Sequence, residues 1–214
     1  EWESDLRQAI ALEPNHISAY CLTIEPGTEF GKKHKKGLLK VLDEEVQAKM
    51  YEQTLKTLED NSYYQYEVSN FSKTSYQCRH NLTYWNWSDY LGLGAGAHSF
   101  LKSYNNSDIL AKRWSNIPGP NDYIQRANEI GNCQQLEENL ELEEAISDYL
   151  FISLRKNEGL NLLAFKEIFS RDFLLTYSEQ VNNLLALKFA EKNESNFYLN
   201  KKGLLFLNEI LSYF

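Results

Sequence analysis

Cys78-Arg79-His80-Asn81-Leu82-Thr83-Tyr84-Trp85 (CRHNLTYW) gathers the side chains best suited to chemistry within eight positions. An imidazole ligates iron, a guanidinium pairs with a carboxylate, and phenol and indole rings stack on flat π systems. Together these types suit a flat aromatic macrocycle that carries carboxylates. His80 is the candidate metal ligand, Cys78 the neighbouring alternative, and Arg79, Tyr84 and Trp85 the candidate binding residues. The residues leave a second use open. A lone histidine is more often a hydrogen-bonded structural group than a ligand, and Tyr84 and Trp85 can be core. Aromatic residues are dense around the motif, with 11 of the 42 residues from Tyr63 to Tyr104.

Other stretches carry weaker signals. Gly92-Leu93-Gly94-Ala95-Gly96-Ala97-His98 lacks the GxGxxG spacing of a dinucleotide fingerprint, and no P-loop lysine follows it. Small residues on a strand favour close backbone packing. Glu25, Glu67 and Asp89 fall near expected strand ends, where α/β sites form, without the spacing of a carboxylate pair. Cys21, Cys78 and Cys133 are too dispersed for zinc, iron–sulfur or dithiol motifs, and their sparse, odd number suits a reducing cytoplasm. Lys32-Lys33-His34-Lys35-Lys36 is expected to be a solvated basic loop.

Those residues need a scaffold, and 214 residues are enough to bury one without staples. Twenty-two Lys and Arg against 30 Asp and Glu give a net charge of −8, which disfavours broad nucleic-acid binding. No apolar run reaches the ~20 residues of a membrane span. The chain opens on Glu1 and its one methionine is Met50, so it reads as a piece of a longer protein. The first helix is expected to run from Trp2 to Pro14, followed by a buried strand at 16–25 (HISAYCLTIE). A helix from Asp43 to Leu58 and a strand at 64–71 complete a βαβ unit with parallel strands. A glycine-rich strand follows at 91–100, then a polar connection and a helix from Pro120 to Glu129. Beyond an acidic boundary at 137–144, helices near 145–154, 163–169 and 181–187 precede a hairpin about 192–196 and a last helix capped by Asn200. Three helices, a hairpin and a helix suggest a winged-helix-like domain over 137–214. Its net charge of −3 over 141–214 favours docking over nucleic-acid reading.

Beyond these patterns, HISAYCLTIEPGTEF, KKGLLKVLDEE, YEVSNFSK, CRHNLTYW, DYLGLGAGAHSF and LNKKGLLFLNEIL occur in order along nearly the whole chain. Together they resemble the C-terminal half of radical S-adenosylmethionine proteins related to oxygen-independent coproporphyrinogen III oxidase. HNxxYW, here His80, Asn81, Tyr84 and Trp85, resembles the haem-chaperone branch. The resemblance implies an α/β fold, the last βα units of a partial (β/α) barrel over 1–136, followed by the mainly helical winged-helix-like domain. It also implies S-adenosylmethionine, a 4Fe–4S cluster and haem as the parent's cofactors, with Thr23 and His98 touching S-adenosylmethionine. The family's CxxxCxxC cluster motif does not occur in this sequence, so the chain alone is expected to be catalytically silent. Haem or porphyrinogen and a haem-acceptor protein are the implied partners, in the cytoplasm. True coproporphyrinogen dehydrogenase and a non-catalytic docking module are the alternatives. A cut sheet edge at strand 16–25 invites self-association.

Overall fold

A computed structural model describes residues 1–103 and 108–214, so Tyr104, the end of the aromatic-rich stretch, lies outside the described residues. The architecture is mixed α and β, and the chain divides into two compact units, Glu1–Cys78 and Arg79–Phe214.

In the first unit, α1 (Trp2–Ala11), β1 (His16–Ser18), α2 (Glu29–Lys35), α3 (Glu44–Glu59), β2 (Tyr64–Glu67) and β3 (Asn70–Ser72) follow in order. Leu6 of α1 and Leu55 and Leu58 of α3 meet Tyr63 and Phe71 in one apolar core, flanked by Trp2, Ile10 and Ile17. Trp2 and Tyr63 keep their polar ends satisfied there. The indole N–H donates to Thr54 Oγ1 at 2.8 Å and the phenol to the Pro14 carbonyl at 2.6 Å.

Three expectations are corrected here. The strand expected at 16–25 forms a ladder only over His16–Ser18, because its partner β3 spans three residues. The strand expected at 64–71 is a hairpin folded at Val68-Ser69, so the sheet order is β1-β3-β2 with both pairs antiparallel. β1 and β2 do point the same way, but β3 separates them. Third, the basic run Lys32–Lys36 is not a loop. Thr28 caps α2 by accepting the Gly31 N–H at 3.0 Å, and the lysines occupy its C-terminal end, where cations suit the helix dipole.

The second unit begins with α4 (Arg79–Trp85), then β4 (His98–Lys102), β5 (Ala111–Asn116), α5 (Pro120–Glu129) and β6 (Gln134–Leu140). β4, β5 and β6 form an antiparallel sheet in sequence order. The sheet lies where a polar connection and an acidic boundary are expected. Polar strands such as KRWS and QQLEEN show only one apolar edge of the pleat, and β6 is exposed except at its ends. The glycine-rich strand expected at 91–100 is instead a loop over 91–97 leading into β4.

Downstream lie α6 (Leu142–Ser153), β7 (Leu160–Asn161), α7 (Leu162–Phe169), α8 (Phe173–Thr176), α9 (Ser178–Ala186), β8 (Ala190–Lys192), β9 (Asn196–Leu199), α10 (Lys201–Leu205) and α11 (Leu207–Leu211). A capping box between Glu141 and Glu144 starts α6, and Asn161 and Asn200 cap α7 and α10 with their side-chain oxygens. The expected hairpin is present as β8–β9, and β7 adds to β9. The last helix breaks at Phe206, whose backbone (φ −110°, ψ 25°) leaves the helical region.

Candidate functional site

HNxxYW lies on α4. Arg79 and His80 stand exposed in its first turn, while Tyr84 and Trp85 are half-buried in its last. Spacing of four residues stacks His80 over Tyr84 on one helix face. Their rings meet edge to face at 4.9 Å, and Tyr84 Oη lies 2.9 Å from His80 Nε2. Arg79 has no ion-pair partner among the described residues. The Trp85 indole N–H is buried and likewise without a hydrogen-bond partner among them.

What fixes this helix is the second residue beyond its end. The Trp87 N–H donates to the Tyr84 carbonyl at 3.0 Å and the Ser88 N–H to the Thr83 carbonyl at 3.1 Å. These two bonds are a Schellman stop, whose pivot takes the left-handed conformation and is usually glycine. Trp87 takes it here with φ 49°. Its side chain holds the strained backbone in place. Only 2% exposed, the indole packs on Phe100, Tyr149 and Phe169 and donates to Asp148 Oδ2 at 2.8 Å. Asp148 also accepts from Arg113 at 2.6 Å. Next to it, the Lys156 ammonium, drawn into the protein, donates to Asn86 Oδ1 at 2.8 Å and to Glu158. Residues of α6 and its C-terminal extension thus clamp the end of α4.

The aromatic density around the motif resolves into a chain of rings. Tyr84 meets Tyr90 edge to face at 4.6 Å, Tyr90 stacks on Phe100, and Phe100 meets Trp87. Tyr90 and Phe100 also exchange both backbone hydrogen bonds. Burial pushes the Tyr90 hydroxyl above the usual phenol range, and the Arg113 charge partly offsets it.

The glycine loop is built rather than slack. The Asn116 amide donates to the Gly92 and Gly94 carbonyls at 3.2 and 3.0 Å, while the Gly92 N–H reaches Ser99 Oγ and the Gly94 N–H reaches Tyr123 Oη. A Cβ on Gly92 would sit 2.1 Å from the His98 carbonyl oxygen. The loop presents Leu91 and Leu93 to solvent, Leu93 at 88% exposure. His98, at the start of β4, is exposed.

Thr23 is exposed on the extended segment that follows β1, in the first unit, whereas His98 belongs to the second. That segment borders an apolar cavity of about 310 Å³ between residues 19–22 and Ile24, the 39–42 loop and Met50, Tyr51 and Thr54 of α3, and Thr23 does not line it. Sequence reasoning placed Glu67 near a strand end but missed Asn70, its buried polar partner. Glu67 and Asn70, each 2% exposed, hydrogen-bond to one another across the β2–β3 turn. Asn70 also accepts from Ser18, and Glu67 from the Ser69 N–H. His16 Nε2 lies 2.8 Å from Tyr66 Oη, which also accepts the Cys78 N–H. Burial holds the His16 imidazole below its usual value. Among the described residues, no three His, Cys, Asp or Glu side chains converge on a metal-sized site. The three thiols are dispersed: Cys21 is exposed beside Gln47, and Cys78 and Cys133 are half-buried.

Residues 140–206 match the family described as HemN C-terminal domain. Across 99% of its length the chain is 32% identical to "Heme chaperone HemW" of Bacillus subtilis (strain 168), covering 54% of that protein. It is 30% identical, again over 99% of its length, to "Heme chaperone HemW" of Lactococcus lactis subsp. lactis (strain IL1403), covering 53% of it. The chain thus spans about half the length of these curated relatives. A solved structure titled "Coproporphyrinogen III oxidase (HemN) from Escherichia coli is a Radical SAM enzyme." shares the fold, with a TM-score of 0.69 at 18% identity over 97% of this chain and 49% of that one. Residues 140–206 thus match the HemN C-terminal domain, and the chain as a whole is similar to about half of each of these heme chaperone relatives and shares the fold of the HemN structure.

Proposed function

We propose that this chain is the part of a haem-carrying protein that presents the iron ligand, with α4 as the carrying element. The observation behind the reading is the pairing of Arg79 and His80 in the first turn of α4. Both are exposed, and Arg79 is free of acidic partners among the described residues. His80 ligates the iron of the cargo, Arg79 pairs a propionate, and Tyr84 and Trp85 flank the macrocycle. Haem is here a cargo to be taken up and passed to an apoprotein in the cytoplasm.

The family's catalytic equipment is a separate matter. A 4Fe–4S cluster needs converging thiolates, and Cys21, Cys78 and Cys133 do not form such a group. The residues do not fit that cluster, and none of the chemistry assigned to this chain runs through it. Thr23 and His98 are kept as contacts for S-adenosylmethionine in the whole protein. Residues 1–136 are assigned to the end of a partial (β/α) barrel and 137–214 to a winged-helix-like domain, a reading the β8–β9 hairpin and its flanking helices support. Among the described residues no helix is long and apolar enough to cross a membrane.

A second reading, a docking module without cargo, is favoured by Leu163 and Leu175, which the acidic helical region leaves 64% and 77% exposed. Haem titration of the whole protein separates the two, since a docking module gives no Soret shift. His80→Ala is expected to weaken haem binding and alter the Soret band while far-UV circular dichroism stays unchanged. Loss of binding in Cys78→Ala with His80→Ala unaffected moves the ligand to the thiolate. No effect from either returns the motif to a structural role.

A further inference from the structure

The two nitrogens of the His80 ring are not equivalent. Nδ1 lies one bond from the ring carbon that carries the side chain, so a broad planar macrocycle approaching it collides with the histidine's own helix. Nε2 is the distal nitrogen and the open approach. It is also the nitrogen already engaged, 2.9 Å from Tyr84 Oη. We propose that Tyr84 is a release latch: its hydroxyl competes with the cargo's iron for His80 Nε2, weakening ligation and recapturing the imidazole when the cargo leaves. The proposal rests on the haem reading of His80 given above.

The surroundings decide which partner moves. Tyr84 is held on its far side by Tyr90, with ring centroids 4.6 Å apart and planes at 85°. Tyr90 is tied to β4 by both backbone hydrogen bonds to Phe100. Among the described residues His80 has no second anchor of that kind, and it is exposed in the first turn of α4. Tyr84 therefore stays and the imidazole leaves it. No bond beyond a hydrogen bond and a coordinate bond is exchanged: Nε2 gives up its contact with the phenol and donates its lone pair to iron. A ligand competing against a fixed intramolecular partner loses affinity by the strength of that partner. For a side-chain hydrogen bond in contact with solvent, this is about two- to tenfold. A carrier benefits from such a ceiling, because it must yield its cargo to an acceptor.

The test uses the whole protein as wild type, Tyr84→Phe and His80→Ala. Tyr84→Phe keeps the ring that packs on Tyr90 and removes only the hydroxyl. It is expected to bind haem about two- to tenfold more tightly and to lose it more slowly to excess apomyoglobin. Without haem, imidazole ¹⁵N shifts are expected to show His80 Nε2 losing its hydrogen bond in Tyr84→Phe, with an unchanged unfolding midpoint. Binding that is unchanged or weaker in Tyr84→Phe, while His80→Ala still abolishes it, overturns the latch and leaves the ligand in place. Binding indifferent to His80→Ala overturns both the latch and the haem reading of His80. An unaltered His80 ¹⁵N signature in Tyr84→Phe also overturns the latch.

Discussion

Trp87→Gly pits two terms of known sign against each other at one residue. The backbone of Trp87 is left-handed, φ 49°, which costs a non-glycine residue about 1 kcal/mol. Its side chain is 2% exposed among Phe100, Tyr149 and Phe169 and hydrogen-bonded to Asp148. Removing a buried aromatic of this size costs about 3–5 kcal/mol. Asp148 keeps Arg113, so it is not left as an unpaired buried charge. The balance for Trp87→Gly is a loss of about 2–4 kcal/mol. Trp87→Ala discards the same packing and retains the left-handed penalty, so it is expected to be about 1 kcal/mol less stable still. That order is the opposite of the ranking in a helix interior and is the one a left-handed C′ position dictates. Urea unfolding followed by far-UV circular dichroism measures both differences. An alanine variant as stable as the glycine variant refutes the account of the Schellman stop. Two variants within 1 kcal/mol of wild type refute the anchoring role of the indole.

Asn116→Ala removes the amide that holds the Gly92 and Gly94 carbonyls, and limited proteolysis is expected to cut the loop near exposed Leu93 faster, with stability down by about 1–3 kcal/mol. Gly92→Ala drives a Cβ into the His98 carbonyl and is expected to destabilise the second unit, read as a lowered melting temperature; Gly94→Ala meets nothing and carries only the strain of φ 104°. Burial lowers the folded pKa of His16 below its unfolded value, so the unfolded chain takes up its proton first. Stability is therefore expected to fall as pH drops below about 6.5, and His16→Asn to flatten that slope in urea melts at successive pH values. The outer edge of β1 and the segment after it carry no strand partner among the described residues, with Tyr20 and Leu22 more than 60% exposed. Concentration-dependent self-association, reduced by Tyr20→Lys in sedimentation, is the expected outcome, and a strictly monomeric chain at high concentration refutes it.

How much of this was legible in the sequence depended on whether the deciding contact was local. α3 and α5 announced themselves through Asp43 before the acidic first turn of α3 and Pro120 at the start of α5, and the last helical stretch through Asn200 before α10. These signals lie within one or two turns of what they specify. The β8–β9 hairpin was legible for the same reason, its turn enclosed by its own strands. Strands were not. HISAYCLTIE has the composition of a ten-residue strand, but a strand exists only where another supplies its hydrogen bonds, and β3 supplies three residues. YEVSNF reads as continuous because the fold at Val68-Ser69 has neither glycine nor proline; its turn is held instead by the Glu67 carboxylate.

The candidate site shows the same division. The types in CRHNLTYW were visible, and so was the four-residue spacing that joins His80 to Tyr84 once the stretch is helical. That it is helical was hidden, because its stop is a tryptophan where local rules ask for glycine. The energy that permits this comes from Asp148, Tyr149 and Phe169, more than sixty residues away. A residue that breaks a local rule at the end of a functional motif, and is held there by a distant domain, ties the motif's geometry to that domain's integrity. Substitutions in the core of residues 140–206 that loosen Tyr149 or Phe169 should therefore displace the end of α4, and with it the spacing between Tyr84 and His80, before they unfold the domain that carries them.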